Sequence, residues 1–306
     1  MATVGKSKAF YAKLHNQVIV AIAAAIILGG VGSLVVADAR AEPQTVYFAS
    51  ADGRTQLVGY LFTPQTAGRH PAVVMLHGRA GPYSANINEG CTLVAKDNSS
   101  PCNASSLSKR HAAWGSYWAE RGYLALLPDS FGPRNKGHGF ARFSHDDPDR
   151  DDVNERTVRP FDAEGALKYL QSRGDVAPGQ IFLQGWSNGA STALNVMYRQ
   201  ASLPSGGFRA AMALYPGCGP RALISQDYRA SSPVTVFLAS DDEEVSPAVC
   251  HRALDPAENH GSPIKVVDYA GATHDFDDPG EKRQSIEANR TAREDVLRRA
   301  SGLFGK

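Results

Sequence analysis

The chain has 306 residues, 42% of them hydrophobic and 21% charged, which is ordinary globular composition. Lys and Arg number 32 against 31 Asp and Glu, for a formal net charge of +1. That balance excludes a basic field for nucleic acid and an acidic solvating tail.

The first segment reads as an export signal. Lys6, Lys8 and Lys13 precede an uncharged apolar run over residues 18–37. Ala37-Asp38-Ala39-Arg40-Ala41 and then Glu42-Pro43 follow. A basic segment, an apolar segment and a small-x-small site predict cleavage after Ala41. The competing reading is an uncleaved anchor, because the run is near the lower limit for a membrane span. Gly29, Gly30, Gly32 and Ser33 weaken it as a helix. Either reading places residues 42–306 outside the cytoplasm, periplasmic or secreted, as one large α/β domain. Contact with a membrane is expected only if the segment is retained.

The rest of the chain alternates strand-like and helix-like stretches. Residues 46–49 and 57–62 predict a leading antiparallel pair. Residues 72–76 form a short, continuously apolar run, the pattern of a buried strand. Residues 112–121 predict a helix ending at Gly122, and 123–127 a strand stopped by Pro128. Residues 162–172 predict a helix with Ala166, Leu167 and Leu170 on one face. Residues 181–183 predict a strand, and 190–198 a helix. Three further strands are expected at 210–214, 234–238 and 264–267, and a long helix at 286–303. This alternation predicts a mostly parallel sheet with helices on both faces, with the site at the carboxyl ends of the strands.

Cys91, Cys102, Cys218 and Cys250 are even in number and lie in a chain read as exported, so two disulfides are expected. Three pairings are open. Cys91–Cys102, closing a Ser/Asn-rich loop, and Cys218–Cys250 are the expected ones. The spacing carries no zinc pattern, and neither a metal nor an organic cofactor is expected.

Gly185-Trp186-Ser187-Asn188-Gly189 lies between the strand at 181–183 and the helix at 190–198. Strand, tight turn and helix are the context a G-x-S-x-G nucleophile elbow requires. The turn is too sharp for side chains two residues either side of the serine, and glycines stand at both places. A serine hydroxyl needs a base within hydrogen-bond reach, and the base needs an acid to orient it. In this chain order the acid and then the histidine follow the serine. Of His251, His260 and His274, only His274 sits in a loop just after a predicted strand. The acid is expected after residues 234–238, where Asp241-Asp242-Glu243-Glu244 crowd together. Val245, three residues on, selects Asp242; the other three carboxylates read as solvated loop. The oxyanion hole needs two backbone donors. Asn188, next after the serine, supplies one. Arg79, in His77-Gly78-Arg79-Ala80-Gly81 after the strand at 72–76, supplies the other. His77 is expected to shape that loop without moving a proton.

Leu76-His77-Gly78, residues 122–134, the Ser187 elbow, Tyr215-Pro216-Gly217-Cys218 and the His274 loop together resemble the dienelactone hydrolase family of α/β-hydrolases. The resemblance runs over residues 45–300. It implies an α/β-hydrolase core and hydrolysis of an ester-like bond in a small molecule without a cofactor. The founding members of that family carry a cysteine at the elbow. Ser187 therefore points toward general carboxylic ester hydrolysis and away from the founding lactone. Related folds with G-W-S-x-G elbows include peptidases, which usually carry a large extra domain. A catalytically silent binding protein is a third reading, disfavoured by the intact Ser, acid, His order.

Two residues carry weaker claims. Arg134 has the donor fork to bind a substrate carboxylate, or to pin its own loop in an Asp–Arg pair. Trp186, beside the serine, either contacts substrate or packs beneath its neighbours. The acidic stretch 145–152 lacks the Gly and terminal Glu of a calcium loop and reads as solvated. The loops at 79–110 and 132–160 are long and polar enough for one to act as a lid.

Overall fold

A computed structural model describes residues 42–87, 90–144, 146–202 and 206–305. Residues 1–41, read above as an export signal ending at an expected cleavage site, lie outside the described residues. The strands are β1 (Gln44–Ala49), β2 (Gln56–Phe62), β3 (His70–Leu76), β4 (Leu124–Asp129), β5 (Val176–Trp186), β6 (Ala211–Leu214), β7 (Val234–Ala239) and β8 (Ile264–Tyr269). They form one eight-stranded sheet in the order β1-β2-β4-β3-β5-β6-β7-β8. β1, β2 and β4 pair antiparallel, and β4 through β8 run parallel. The helices are α1 (Lys109–Glu120), α2 (Arg159–Gln171), α3 (Asn188–Gln200), α4 (Pro247–Asn259), α5 (Glu281–Gln284) and α6 (Glu287–Leu303).

The apolar runs are continuous because both sheet faces are covered. Ala72, Val74 and Leu76 of β3 face one core, with Ile181 and Leu183 of β5. Ala163, Leu170, Ala193 and Leu254, from α2, α3 and α4, close that core. Val73, Met75 and Phe182 face the opposite core, with Trp114 and Trp118 of α1 and Val296 and Ala300 of α6. Side chains alternate across a strand, so a fully apolar run feeds two cores at once. Each fully buried Leu, Val or Phe is worth about 1.5–3 kcal/mol. The indole of Trp118 donates to Gln184 Oε1 at 2.7 Å, so its one polar atom is satisfied in the core.

Among the boundaries that differ from the sequence reading, three have a local cause. β4 continues through Pro128 to Asp129. Its parallel partner β3 parts from it after the Val74–Leu126 pair, so the end of β4 is an edge on that side, where proline is tolerated. α1 begins at Lys109 because Ser108 caps it, its hydroxyl accepting from the His111 N–H. α2 begins at Arg159, with Pro160 in its first turn.

The cysteines pair as Cys91–Cys102 and Cys218–Cys250. Both bonds fasten loops at the carboxyl edge of the sheet. Cys218 follows β6, and Cys250 sits in α4 after β7. Among the described residues no helix is long and apolar enough to cross a membrane. Cys218 and Cys250 are 32 residues apart. Closing a loop of that length restricts the unfolded chain by about 3–4 kcal/mol. The double substitution Cys218→Ala/Cys250→Ala should lower the unfolding free energy by about that amount in denaturant titration.

Candidate active site

β5 ends at Trp186 and α3 starts at Asn188, so Ser187 alone makes the turn. Its backbone is left-handed, with φ 50° and ψ −115°. Such a conformation costs a non-glycine residue about 1–3 kcal/mol. Gly185 and Gly189 remove the clashes that would forbid the turn. A Cβ on Gly185 would strike the Gly189 carbonyl, and one on Gly189 would strike the Leu76 and His77 carbonyls. The first turn of α3 thus rests directly on the end of β3.

His274, in the loop after β8, is buried. Its Nε2 lies 3.1 Å from Ser187 Oγ, and its Nδ1 lies 2.8 Å from Asp242 Oδ2. The carboxylate can only accept, so Nδ1 carries the proton and Nε2 is left to receive one from the serine. Asp242 is fixed in turn, its Oδ1 accepting from the Glu244 and Val245 amides at 2.8 and 2.9 Å. Burial pushes the His274 pKa down. The hydrogen bond to Asp242 and the charges of Asp275, Asp242 and Glu244 outweigh it, and the net shift is upward. The Tyr215 ring packs on the imidazole, centroids 4.7 Å apart.

Arg79 and Asn188 both line the cavity that contains Ser187. Asn188 is the first residue of α3, where helix N–H groups have no partner within the helix. The Arg79 amide belongs to the same peptide plane as the Gly78 carbonyl, which accepts from His77 Nδ1 at 2.8 Å. His77 Nε2 accepts in turn from the Ser130 amide at 3.2 Å. This pattern requires a neutral imidazole with its proton on Nδ1. Complete burial and the charge of Arg159 keep it so, holding its pKa well below the ordinary value.

The other carboxylates after β7 are not all solvated, which corrects the sequence reading. Asp241 is exposed and accepts from its neighbour, Ser240. Glu243 accepts from the His274 amide at 2.9 Å and pairs with Arg283. Glu244 is buried beside the site, 3.8 Å from His274 Nε2, and pairs bidentately with the Arg79 guanidinium at 3.0 and 3.1 Å.

Arg134 and Trp186 do not reach the site. Arg134 grips Asp162 through two 2.9 Å bonds and also bonds Asp52 and the Ser130 carbonyl. Those partners occupy the donor fork and tie the Arg134 loop to Asp162 and Asp52. Trp186 is fully buried, and its indole donates to Asp277 at 2.8 Å. Asp277 also takes the Trp114 indole and the Tyr215 hydroxyl.

Sequence reasoning missed the cation behind the His274 loop. Arg110 meets Asp275 at 2.8 Å and Asp278 at 3.0 Å, with Asp277 at 3.7 Å. The loop's three carboxylates are thereby tied to α1. A run of acidic residues in sequence signals solvent unless its cation is known, and that cation is more than 160 positions away.

Two cavities meet at Ser187. One, of about 40 Å³, is lined by Phe143, Ser191, Gly217 and Val245. The other, of about 400 Å³, runs past Tyr83, Asn86, Ser108 and Lys109. Among the described residues no group of three or more His, Cys, Asp or Glu is placed to hold a metal ion.

A family model described as the dienelactone hydrolase family matches residues 107–306. No curated protein matches. Among solved structures, a dienelactone hydrolase-like promiscuous phosphotriesterase, P91, from metagenomic libraries is similar at 20% identity and TM-score 0.61, over 86% of this chain and 98% of that one. Thermogutta terrifontis esterase 2, phosphonylated by cyclosarin, is similar at 18% identity and TM-score 0.56, over 85% of this chain and 95% of that one. At such identities the likeness is one of fold.

A base that must be neutral to accept the serine proton gives an acid limb to the pH–rate profile. With its pKa raised, the midpoint of kcat/KM should lie above the ordinary value of 6.5. Glu244→Gln removes one of the charges that raise it, so the midpoint should move to lower pH. A pH profile of ester hydrolysis for both proteins checks this.

Proposed function

The chain belongs to the dienelactone hydrolase family and is a hydrolase acting on ester bonds; from that premise we propose that it is a serine carboxylesterase working through an acyl-enzyme. Ser187 Oγ attacks the ester carbonyl as His274 Nε2 takes its proton. Asp242 holds the imidazolium that forms. The Arg79 and Asn188 amides meet the developing oxyanion. His274 passes its proton to the departing alcohol. It then activates a water that attacks the acyl-enzyme and frees the acid. The contact of Ser187, His274 and Asp242 in one hydrogen-bonded line is the observation that carries this reading.

Export completes the proposal. Two disulfides suit an oxidising compartment, periplasmic or extracellular. We place signal cleavage after Ala41. Intact mass of the exported protein should correspond to a chain starting at Glu42. A mass retaining residues 1–41 would establish the anchored form.

Short p-nitrophenyl esters should be hydrolysed, and Ser187→Ala should abolish turnover. Asp242→Asn should lower kcat by about 10⁴-fold through the wrong imidazole tautomer, while Asp241→Asn should leave it near the parent value. A p-nitrophenyl phosphonate should label Ser187. Labelling without ester turnover would favour a peptidase, and neither labelling nor turnover a silent binding protein.

A further inference from the structure

We propose that Arg159 is the positioning residue that holds the two oxyanion-hole segments in register. The proposal rests on the serine-hydrolase reading above. Arg159 is the first residue of α2 and is completely buried. Its Nη2 donates to the His77 carbonyl at 2.7 Å. Its Nη1 donates to the Asn188 side-chain oxygen. His77 lies two residues before Arg79, and Asn188 opens α3. One planar group therefore joins the two chain segments proposed to supply the oxyanion donors.

The seam it crosses is a tight one. Gly189 has no room for a Cβ against the Leu76 and His77 carbonyls, so α3 and the exit of β3 are already in contact there. Contact alone fixes separation and leaves rotation of the two segments free. Two N–H bonds from one rigid fork fix their mutual orientation as well. The Phe131 ring, 5.1 Å from the guanidinium carbon, seats the fork from one face.

The electrostatics make a purely structural role a poor explanation. Among the described residues Arg159 makes no salt bridge within 4.0 Å, and its Nε has no partner. Asp162, three residues on, is taken by Arg134. Burial holds the Arg159 pKa down at about 10, so the group is still cationic at neutral pH. Its two direct acceptors are neutral, and the carboxylates of Asp162, Glu155 and Asp129 act on it only from beyond 4.0 Å, so burying the cation here is costly. The cost falls where negative charge must develop during the reaction. A cation there adds positive potential beside the site without touching substrate, since Arg159 lines neither cavity at Ser187.

The test compares Arg159→Lys and Arg159→Met with the parent and with Ser187→Ala. Lysine keeps the charge and can reach one acceptor at a time. Methionine removes both charge and donors. Donor misplacement of about 1 Å costs on the order of 100-fold. We expect kcat to fall by about 10- to 100-fold in Arg159→Lys, and by at least as much in Arg159→Met, with KM within about threefold of the parent. Binding of an alkyl boronic acid, which forms a tetrahedral anion on Ser187, should weaken in step with kcat/KM. Binding of the matching non-hydrolysable amide should not change. Two results overturn the proposal: kcat within about threefold of the parent in both variants, or equal weakening of boronate and amide that follows a fall in Tm. Hydrolysis persisting in Ser187→Ala is a distinct outcome, which overturns the serine reading itself.

Discussion

The structure depends on one close approach, that of the first turn of α3 to the carboxyl end of β3. At Gly189 the helix backbone comes so near the Leu76 and His77 carbonyls that no side chain fits. The approach forces the chain to reverse within one residue, which puts Ser187 in a left-handed conformation. The reversal lifts the hydroxyl off the sheet and puts the Asn188 amide, which has no partner within the helix, at the same spot. It also brings the loop after β3 alongside, with Arg79 and Gly78 beside the serine. The exposed Ser187 hydroxyl and the amides proposed to serve it are thus products of a single packing constraint, and the strain at Ser187 is carried by the two apolar cores on either side of the sheet.

Around that contact the protein places its ionic groups in a consistent way. His274 is surrounded by carboxylates that favour its protonated form, and two of them, Glu244 and Asp275, are themselves neutralised by arginines from distant segments, Arg79 and Arg110. The loop histidine is treated in the opposite manner. Burial and a neighbouring guanidinium keep His77 neutral, so that it can donate from one ring nitrogen and accept at the other. Two histidines about 200 positions apart in the chain thus do different work at one sheet edge because their charged neighbours differ.

How much of this was legible in the sequence follows from the range of each interaction. The strands were readable because both sheet faces are buried, which leaves uninterrupted apolar runs. Gly185 and Gly189 announced the turn because no other residue fits there. His274 and Asp242 were reachable by chain order and by Val245. The helix starts were misplaced because Ser108 and Pro160 act ahead of the apolar periodicity. Pro128 misled because the edge that tolerates it exists only once β3 and β4 have paired. Glu244 looked interchangeable with its neighbours, and only the approach of Arg79, 165 positions away, separates them. Arg134 and Arg159 carry the same side chain and differ in what meets them in space.

The placement of the disulfides separates two meanings of a folded chain. Neither bond lies within the sheet, whose strands are held by their own ladders and by apolar burial. Cys218 instead fixes the segment carrying Tyr215, which packs on His274, and Gly217, which lines the smaller cavity. The segment after Cys91 bonds back to the loop at 132–137, through Val94 to Gly132 and Gly137 to Thr92. A chain made in a reducing compartment would therefore show full helix and sheet content while the walls of its site stayed unset. For this protein, secondary structure and competence are different measurements.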